Sequence, residues 1–235
     1  MLSIFVAGLK KQVGKTHVCA GFCATMQSLS YSMSYYKPIQ TGSPENISKD
    51  VNYINNIDSN IKTSYTYNFE GSQCPLISSF NSGVKKLDIN DIINDYKSNV
   101  QMTDCHIIEG SNGICTPLDD KLTEIDLIKT LGAPLILVIN EKTDSIEDVI
   151  AGVNYIYSNH IKFMGIIINN HDTSSEKIEI KYYPQLIKQY TKTNILGIYP
   201  HYENFNSLSP GQIIEETLNN FDVEQIFGLK INKLN

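Results

Sequence analysis

The residues with the clearest chemistry are Gly14-Lys15-Thr16, which follow an apolar run at the start of the chain. That run, Leu2 to Ala7, is long enough for one buried strand; it breaks at Gly8 into a polar turn, and a helical pattern follows. Strand, turn, Gly-Lys-Thr and helix is the order typical of a phosphate-binding loop, whose backbone N–H groups point at an anion. Lys15 would add positive charge at the terminal phosphates, and the Thr16 hydroxyl is placed to bind Mg²⁺.

Further candidates follow later strand-like runs. Lys37 ends the second of these runs, Glu109 ends the apolar run 105–109, and Asn169-Asn170 follow the run 163–168. Asp50 lies in the segment after Lys37. Ligands of open parallel sheets bind outside the carboxyl ends of the strands, so these side chains are expected to meet the phosphate-binding loop. A Mg²⁺ held by Thr16 needs further oxygen ligands, and Glu109 is a stronger candidate than Asp50.

The order of the elements predicts how these residues are brought together. Strands are predicted at 2–7, 31–36, 65–69, 105–109, 134–140, 163–168 and 194–199. Helices are predicted at 16–29, 49–57, 88–98, 122–131, 145–157, 176–190 and 211–226. Pro38 is expected to close the second strand, with loop at 38–48 and a surface segment at 58–64. The alternation predicts an α/β P-loop NTPase fold: one domain over residues 1–235, with a mostly parallel central sheet flanked by helices on both faces.

Composition excludes several classes of protein. The net charge of −6 argues against a general nucleic-acid-binding protein, which needs a basic surface. We find no apolar run long enough to span a membrane and no cleavable signal. The 5 cysteines show no spacing typical of a metal site, so free thiols are expected. The prediction is a cytoplasmic protein without nucleic-acid or membrane partners.

Taken together, the segments resemble dethiobiotin synthetase, the ATP-dependent ligase family of biotin synthesis. The resemblance covers about residues 2–206, and its most specific part is Lys37-Pro38-Ile39-Gln40-Thr41-Gly42. The other matching pieces are Gly8 with Gly14-Lys15-Thr16, Asp50, the stretch from Glu109-Gly110-Ser111-Asn112-Gly113 to Leu118, Asn169, and Gly197-Ile198-Tyr199-Pro200. The resemblance implies conversion of 7,8-diaminopelargonate, CO₂ and ATP to dethiobiotin, ADP and phosphate by a homodimer whose substrate site lies near the interface.

The resemblance also implies residue roles. Lys37 and Lys15 would be catalytic, and Mg²⁺ would be bound by Thr16, Asp50 and Glu109. ATP would be bound by Gln12, Val13, Gly14, Lys15, Thr16, His17, Asp50, Glu109, Asn169, Asn170, Pro200, His201 and Glu203. The substrate would be bound by Thr41 at the carbamate end and by Ser145, Ile146, Glu147 and Tyr182 at the carboxylate end.

Three departures from the family pattern leave alternatives open. Lys10-Lys11-Gln12 replaces polar residues of the usual loop, Ser111-Asn112 replaces Ala-Gly, and acidic Asp144 and Glu147 lie near the expected carboxylate site. Lys10 also occupies the position of the signature lysine of the deviant Walker ATPases that act as partitioning and division-site switches. A weakened synthetase paralogue and a cobyrinate-type amidoligase relative are further alternatives.

Overall fold

The structure, a computed structural model, describes residues 2–44, 48–83, 87–100 and 103–229. Within these ranges seven strands form one sheet in the order β3-β2-β4-β1-β5-β6-β7, and every neighbouring pair is parallel. The strands are β1 (Leu2–Gly8), β2 (Met33–Thr41), β3 (Lys62–Phe69), β4 (Cys105–Glu109), β5 (Leu135–Asn140), β6 (Phe163–His171) and β7 (Ile195–Pro200). The predicted α/β class with a parallel sheet is therefore confirmed.

Helices cover both faces of this sheet. They are α1 (Lys15–Ser28), α2 (Lys49–Ile57), α3 (Pro75–Asn81), α4 (Ile89–Val100), α5 (Glu124–Leu131), α6 (Ile146–Ser158), α7 (Ile178–Thr191), α8 (Pro210–Asn220) and α9 (Val223–Phe227), with a short 3₁₀ turn at Phe205–Ser207. In the described residues no helix is both long and apolar enough to cross a lipid bilayer.

The continuous apolar character of the central strands follows from this two-sided cover. Along β1, Ile4 and Val6 belong to the core shared with α1 and α8, whereas Phe5 and Ala7 belong to the core shared with α5 and α6. Because successive side chains of a strand point to opposite faces, a strand covered on both faces is apolar along most of its length. The carboxyl end of β1 is thereby held at the middle of the sheet, where the phosphate-binding loop begins.

Pro38 does not end the second strand, and this prediction was wrong. β2 continues through Pro38 to Thr41, and Lys37 lies inside it. Pairing of β2 with β4 stops at Tyr36, while pairing with β3 continues to Thr41. A proline lacks the N–H that a ladder needs, so it is tolerated where a strand has a neighbour on one side only.

Other boundaries also differ from the prediction. β3 begins at Lys62, so part of the segment predicted as surface is an edge strand. The helix α3 was missed, and the predicted helix 211–226 is two helices. The break between those two helices lies at Phe221, whose extended backbone pairs with Gly197 of β7.

Candidate active site

The phosphate-binding loop connects β1 to α1, and the N-terminus of α1 lies at the edge of a cavity. Gly14 has a φ of +93°, a conformation that favours glycine, and a Cβ there would lie 1.9 Å from Asn169 Nδ2. The N-cap residue of α1 is Gly14, which has no side chain to cap the helix, so the N–H groups of its first turn are available to an anion. Gly14, Lys15 and Thr16 line a cavity of about 460 Å³.

Lys15 is buried beside this cavity and binds carbonyl groups. Its Nζ donates to the carbonyl oxygens of Asn112 at 2.6 Å and Lys10 at 3.2 Å. Burial, together with the positive charge of Lys37, lowers the pKa of Lys15 to about 8. The hydrogen-bond acceptors of Lys15 are therefore neutral carbonyl groups, and a negatively charged ligand would stabilise its positive charge.

Lys37 lies at the centre of a buried polar network that reaches Thr16. Its Nζ is 2.6 Å from Glu109 Oε1 and 3.0 Å from Asp50 Oδ2. Glu109 also accepts hydrogen bonds from Thr16 Oγ1 and from the Tyr35 hydroxyl, both at 2.8 Å. Lys37 is 2% exposed and Glu109 is 1% exposed, so solvent screens this ion pair little.

The charges of this network stabilise one another. Burial alone would lower the pKa of Lys37, but the carboxylates of Glu109 and Asp50 outweigh burial and raise it. Burial would raise the pKa of Asp50, but the Lys37 ammonium lowers it. Lys37 is consequently a fixed cation, in contrast to Lys15.

The predicted magnesium ligands Thr16, Asp50 and Glu109 line one and the same cavity. Hydroxyl and carboxylate oxygens are the ligands that Mg²⁺ prefers, so the donor chemistry fits this ion. Within the described residues no three His, Cys, Asp or Glu side chains form a metal cluster. A bound Mg²⁺ would therefore need phosphate and water oxygens to complete its shell.

A second cavity of about 270 Å³ lies beyond the loop, at the ends of β6 and β7. Seven residues that were predicted to bind ATP line it, namely Gln12, Gly14, His17, Asn169, Asn170, Pro200 and Glu203. Asn169 Nδ2 donates to the Val13 carbonyl oxygen at 2.9 Å, which ties β6 to the loop. His201 is exposed and lies near Lys142 and Asn170.

The residues predicted at the carboxylate end of the substrate are placed differently. Thr41 lines the 460 Å³ cavity, whereas Ser145, Ile146, Glu147 and Tyr182 are not among its described lining residues. Ser145 caps α6, whose Asp148 accepts its backbone N–H at 3.2 Å. A third cavity, of about 550 Å³, shares Lys11, Gln12, Ser72 and Asn112 with the first and reaches Thr143, two residues before Ser145.

Lys10 is held within its own chain. Its Nζ donates to the Asp148 carboxylate at 2.7 Å and to the Thr143 carbonyl at 2.9 Å, and it lies 3.6 Å from Asp144. Asp144 is buried and accepts the Asn140 N–H at 2.9 Å. Of the two acidic residues expected near the carboxylate site, Asp144 is thus already bound by the Asn140 backbone and paired with Lys10.

Sequence reasoning missed several residues of the site. They are Tyr35, Gln40, Lys49, Ser72, Asn112 and Asn206, which contact Glu109 or line the 460 Å³ cavity, and Phe205, which lies in the 270 Å³ cavity. Phe205 stacks on His17 with ring centroids 4.1 Å apart. Tyr35 could have been found because it lies two positions before Lys37 on the same face of a strand.

A parallel α/β sheet with a Gly-Lys-Thr loop, an uncapped helix N-terminus and a buried carboxylate defines the P-loop nucleotide-binding class. A family model described as an AAA domain matches residues 3–208, and the chain belongs to this family.

Curated relatives extend over nearly the whole chain. The chain is 25% identical to the ATP-dependent dethiobiotin synthetase of Bacillus subtilis over 226 residues, which cover 93% of this chain and 96% of the relative. It is 25% identical to that of Methanocaldococcus jannaschii, covering 86% and 95%, and 27% identical to that of Bacillus velezensis, covering 92% and 94%. The resemblance to dethiobiotin synthetase is confirmed.

Solved structures support the fold. The MinD cell division protein of Aquifex aeolicus superposes with a TM-score of 0.58 at 15% identity, covering 98% of each chain. A ParA family ATPase of Chlorobium tepidum superposes with a TM-score of 0.55 at 13% identity, covering 97% of this chain and 93% of its own. At these identities the likeness concerns the fold alone.

Proposed function

We propose that the protein is an ATP- and Mg²⁺-dependent cyclo-ligase that converts 7,8-diaminopelargonate and CO₂ to dethiobiotin, releasing ADP and phosphate. The observation that carries the proposal is that Lys15 and Lys37, from separate segments of the chain, line one cavity together with Thr16, Asp50 and Glu109. The relatives named above support this choice of reaction among the many that P-loop proteins catalyse.

The proposed reaction divides into three steps. One amine of the substrate takes up CO₂ as a carbamate. A carbamate oxygen then attacks the γ-phosphate of ATP, which breaks the bond to ADP and forms a mixed carbamic–phosphoric anhydride. The second amine attacks the carbonyl carbon, closes the cyclic urea and expels phosphate. Negative charge accumulates at the carbamate and the transferring phosphoryl group, so the protein contributes mainly positioning and positive charge.

The charges of the cavity suit these steps. Lys15 and the N-terminus of α1 would bind the terminal phosphates, and Lys37 would stabilise the carbamate and the transferring phosphoryl group. Thr41 lines the same cavity, where it would contact the carbamate end. Thr16, Asp50 and Glu109 would hold Mg²⁺, which neutralises phosphate charge when bound.

Substrate-dependent turnover is the direct test. The protein is incubated with Mg-ATP and bicarbonate, with and without 7,8-diaminopelargonate, and ADP is measured together with dethiobiotin by mass spectrometry. The proposal requires ADP release that depends on the diamine and equals dethiobiotin formation. ATP binding without any dethiobiotin would instead indicate a weakened paralogue.

The same assay addresses the switch ATPase alternative, for which ADP release would rise on addition of DNA or lipid vesicles. Lys10, the residue that suggested this alternative, is bound to Asp148 and Thr143 of its own chain, which speaks against a reach to a partner's nucleotide. The resemblance further supports a homodimer with the substrate site near the interface, and sedimentation equilibrium would measure its mass.

A further inference from the structure

One buried carboxylate near the site has no part in the proposed reaction. Glu124 is the first residue of α5 and is 1% exposed. Its Oε1 accepts the backbone N–H of Ser111 at 2.8 Å, and its Oε2 accepts the Ser111 hydroxyl. Two hydrogen bonds from one residue to a single buried carboxyl group fix the position of that residue, because both bonds are lost if it moves.

The residue that Glu124 holds lies between two carbonyl groups that bind the lysines of the site. Gly110, before Ser111, accepts a hydrogen bond from Lys37 Nζ at 2.9 Å. Asn112, after Ser111, accepts one from Lys15 Nζ at 2.6 Å. A movement of Ser111 would therefore shift the partners of both ammonium groups at once.

The turn and the carboxylate fit each other closely. A Cβ built on Gly110 would lie 2.0 Å from Glu124 Oε1, so the carboxylate occupies the space that a side chain at this position would need. Because Gly110 has no side chain, the Glu124 carboxylate can pack against the turn.

Stabilising the start of α5 does not require the Glu124 side chain. Thr123 and Asp126 already form a capping box there, in which the Thr123 N–H donates to Asp126 Oδ2 at 2.8 Å. The Glu124 backbone N–H donates to the Thr116 carbonyl at 2.9 Å. Within the described part of the chain, the hydrogen bonds of the Glu124 carboxylate are to Ser111, and its charge also acts on Lys15 and Lys37.

We propose that Glu124 is a positioning residue that holds the turn 110–112, and through its two carbonyl groups sets the positions of Lys15 and Lys37 against the bound triphosphate. The predicted change in kcat can be measured only if the synthetase reaction takes place, so this part of the proposal rests on the proposed function. The effect on nucleotide affinity through Lys15 does not depend on it.

The test compares Glu124→Ala, Glu124→Gln and Ser111→Ala with Asp126→Asn, a matched control that weakens the cap of the same helix. We measure kcat and KM of diamine-dependent ADP release, ATP affinity by titration calorimetry, and Tm. Glu124→Ala should lower kcat on the order of 10- to 100-fold, as expected for a misplaced catalytic group, and weaken ATP binding several-fold. Glu124→Gln, which keeps one acceptor oxygen, should recover part of both, and Asp126→Asn should lower Tm alone.

A double-mutant cycle separates the contact from general damage. If Glu124 acts through Ser111, the loss in Glu124→Gln and Ser111→Ala combined should be smaller than the product of the single losses. Unchanged kcat and ATP affinity in Glu124→Ala, or fully multiplicative losses in the cycle, would overturn the proposal. If Glu124→Ala does not fold, Glu124→Gln and Ser111→Ala decide by the same criteria. If the wild type lacks diamine-dependent turnover, the proposed function fails, and ATP affinity still decides the role of Glu124.

Discussion

Replacing Lys37 by alanine would test the centre of the site. The side chain is 2% exposed and its Nζ contacts Glu109 at 2.6 Å and Asp50 at 3.0 Å. Its loss would leave the Glu109 carboxylate buried without its cation, while the contacts of Lys15 to the loop and to Asn112 remain. The change therefore separates the charge needed for phosphoryl transfer from the groups that bind the triphosphate.

Two magnitudes follow from these contacts. Breaking a buried ion pair by removing one partner costs about 3–5 kcal/mol of folding free energy, and a bound Mg²⁺ should restore part of it by neutralising the carboxylates. Loss of one charge contact to the transferring group typically costs ~10²–10³ in rate. We expect kcat of Lys37→Ala to fall by at least that factor and ATP affinity to change less than about threefold.

The assay is diamine-dependent ADP release, with ATP affinity from titration calorimetry and folding free energy from urea unfolding with and without Mg²⁺. Lys97→Ala, at an exposed position on α4, is the control for loss of a lysine and should match the wild type. A parallel collapse of ATP affinity and kcat would show that Lys37 is a nucleotide ligand only. A kcat near that of the wild type would refute the role of Lys37 altogether.

Three further predictions concern other residues of the structure. The pKa of Lys15 is lowered to about 8, and only the protonated side chain attracts phosphate. ATP affinity should therefore be highest below pH 8 and fall by up to about tenfold per pH unit above it. Calorimetry should find no such fall in Lys15→Met, and a fall retained in that variant would contradict the assignment. Burial lowers the pKa of His106 to about 4, from an ordinary value of 6.5, so the unfolded chain binds one more proton between these pH values. Stability should therefore fall with decreasing pH across that window, by about 3 kcal/mol in total, and His106→Gln should flatten the urea-unfolding profile; an equal slope in both proteins would refute it. Asn169→Ala removes the 2.9 Å hydrogen bond to the Val13 carbonyl and should weaken ATP binding roughly 3- to 10-fold, as measured by calorimetry. Product analysis should find the ratio of dethiobiotin to ADP unchanged. An unchanged ATP affinity would exclude a role of Asn169 in shaping the loop.

The sequence predicted most of the fold because its signals are local. The apolar runs of β1, β4 and β5 mark strands covered on both faces, and the polar turn between Gly8 and Gly14 marks the loop. The failures arose where strand pairing between distant segments decided the boundary. Pro38 lies inside β2 because β4 stops before it, and the break at Phe221 depends on its pairing with Gly197.

The candidate site was predicted where strand order brings residues to one edge of the sheet. Glu109 is the last residue of β4, which lies between β1 and β2. Its carboxylate therefore contacts Thr16, in the helix that follows β1, and Lys37 in β2. The contact of Glu124 could not be predicted in the same way, because Glu124 begins a helix and follows no strand end or motif. The contact of Tyr35 could have been inferred from its place on the same face of β2 as Lys37.

The sequence by itself determined the phosphate-binding loop, the parallel α/β class and the family resemblance, since each is written in short stretches of neighbouring residues. Only the tertiary structure decided that Lys37 is a buried cation shared by Glu109 and Asp50, that Lys10 is bound to Asp148, and that Glu124 supports the turn after β4. The physical reason is that charge, burial and hydrogen-bond partners depend on which segments the sheet places side by side, and the free energy of a buried charge depends on those partners.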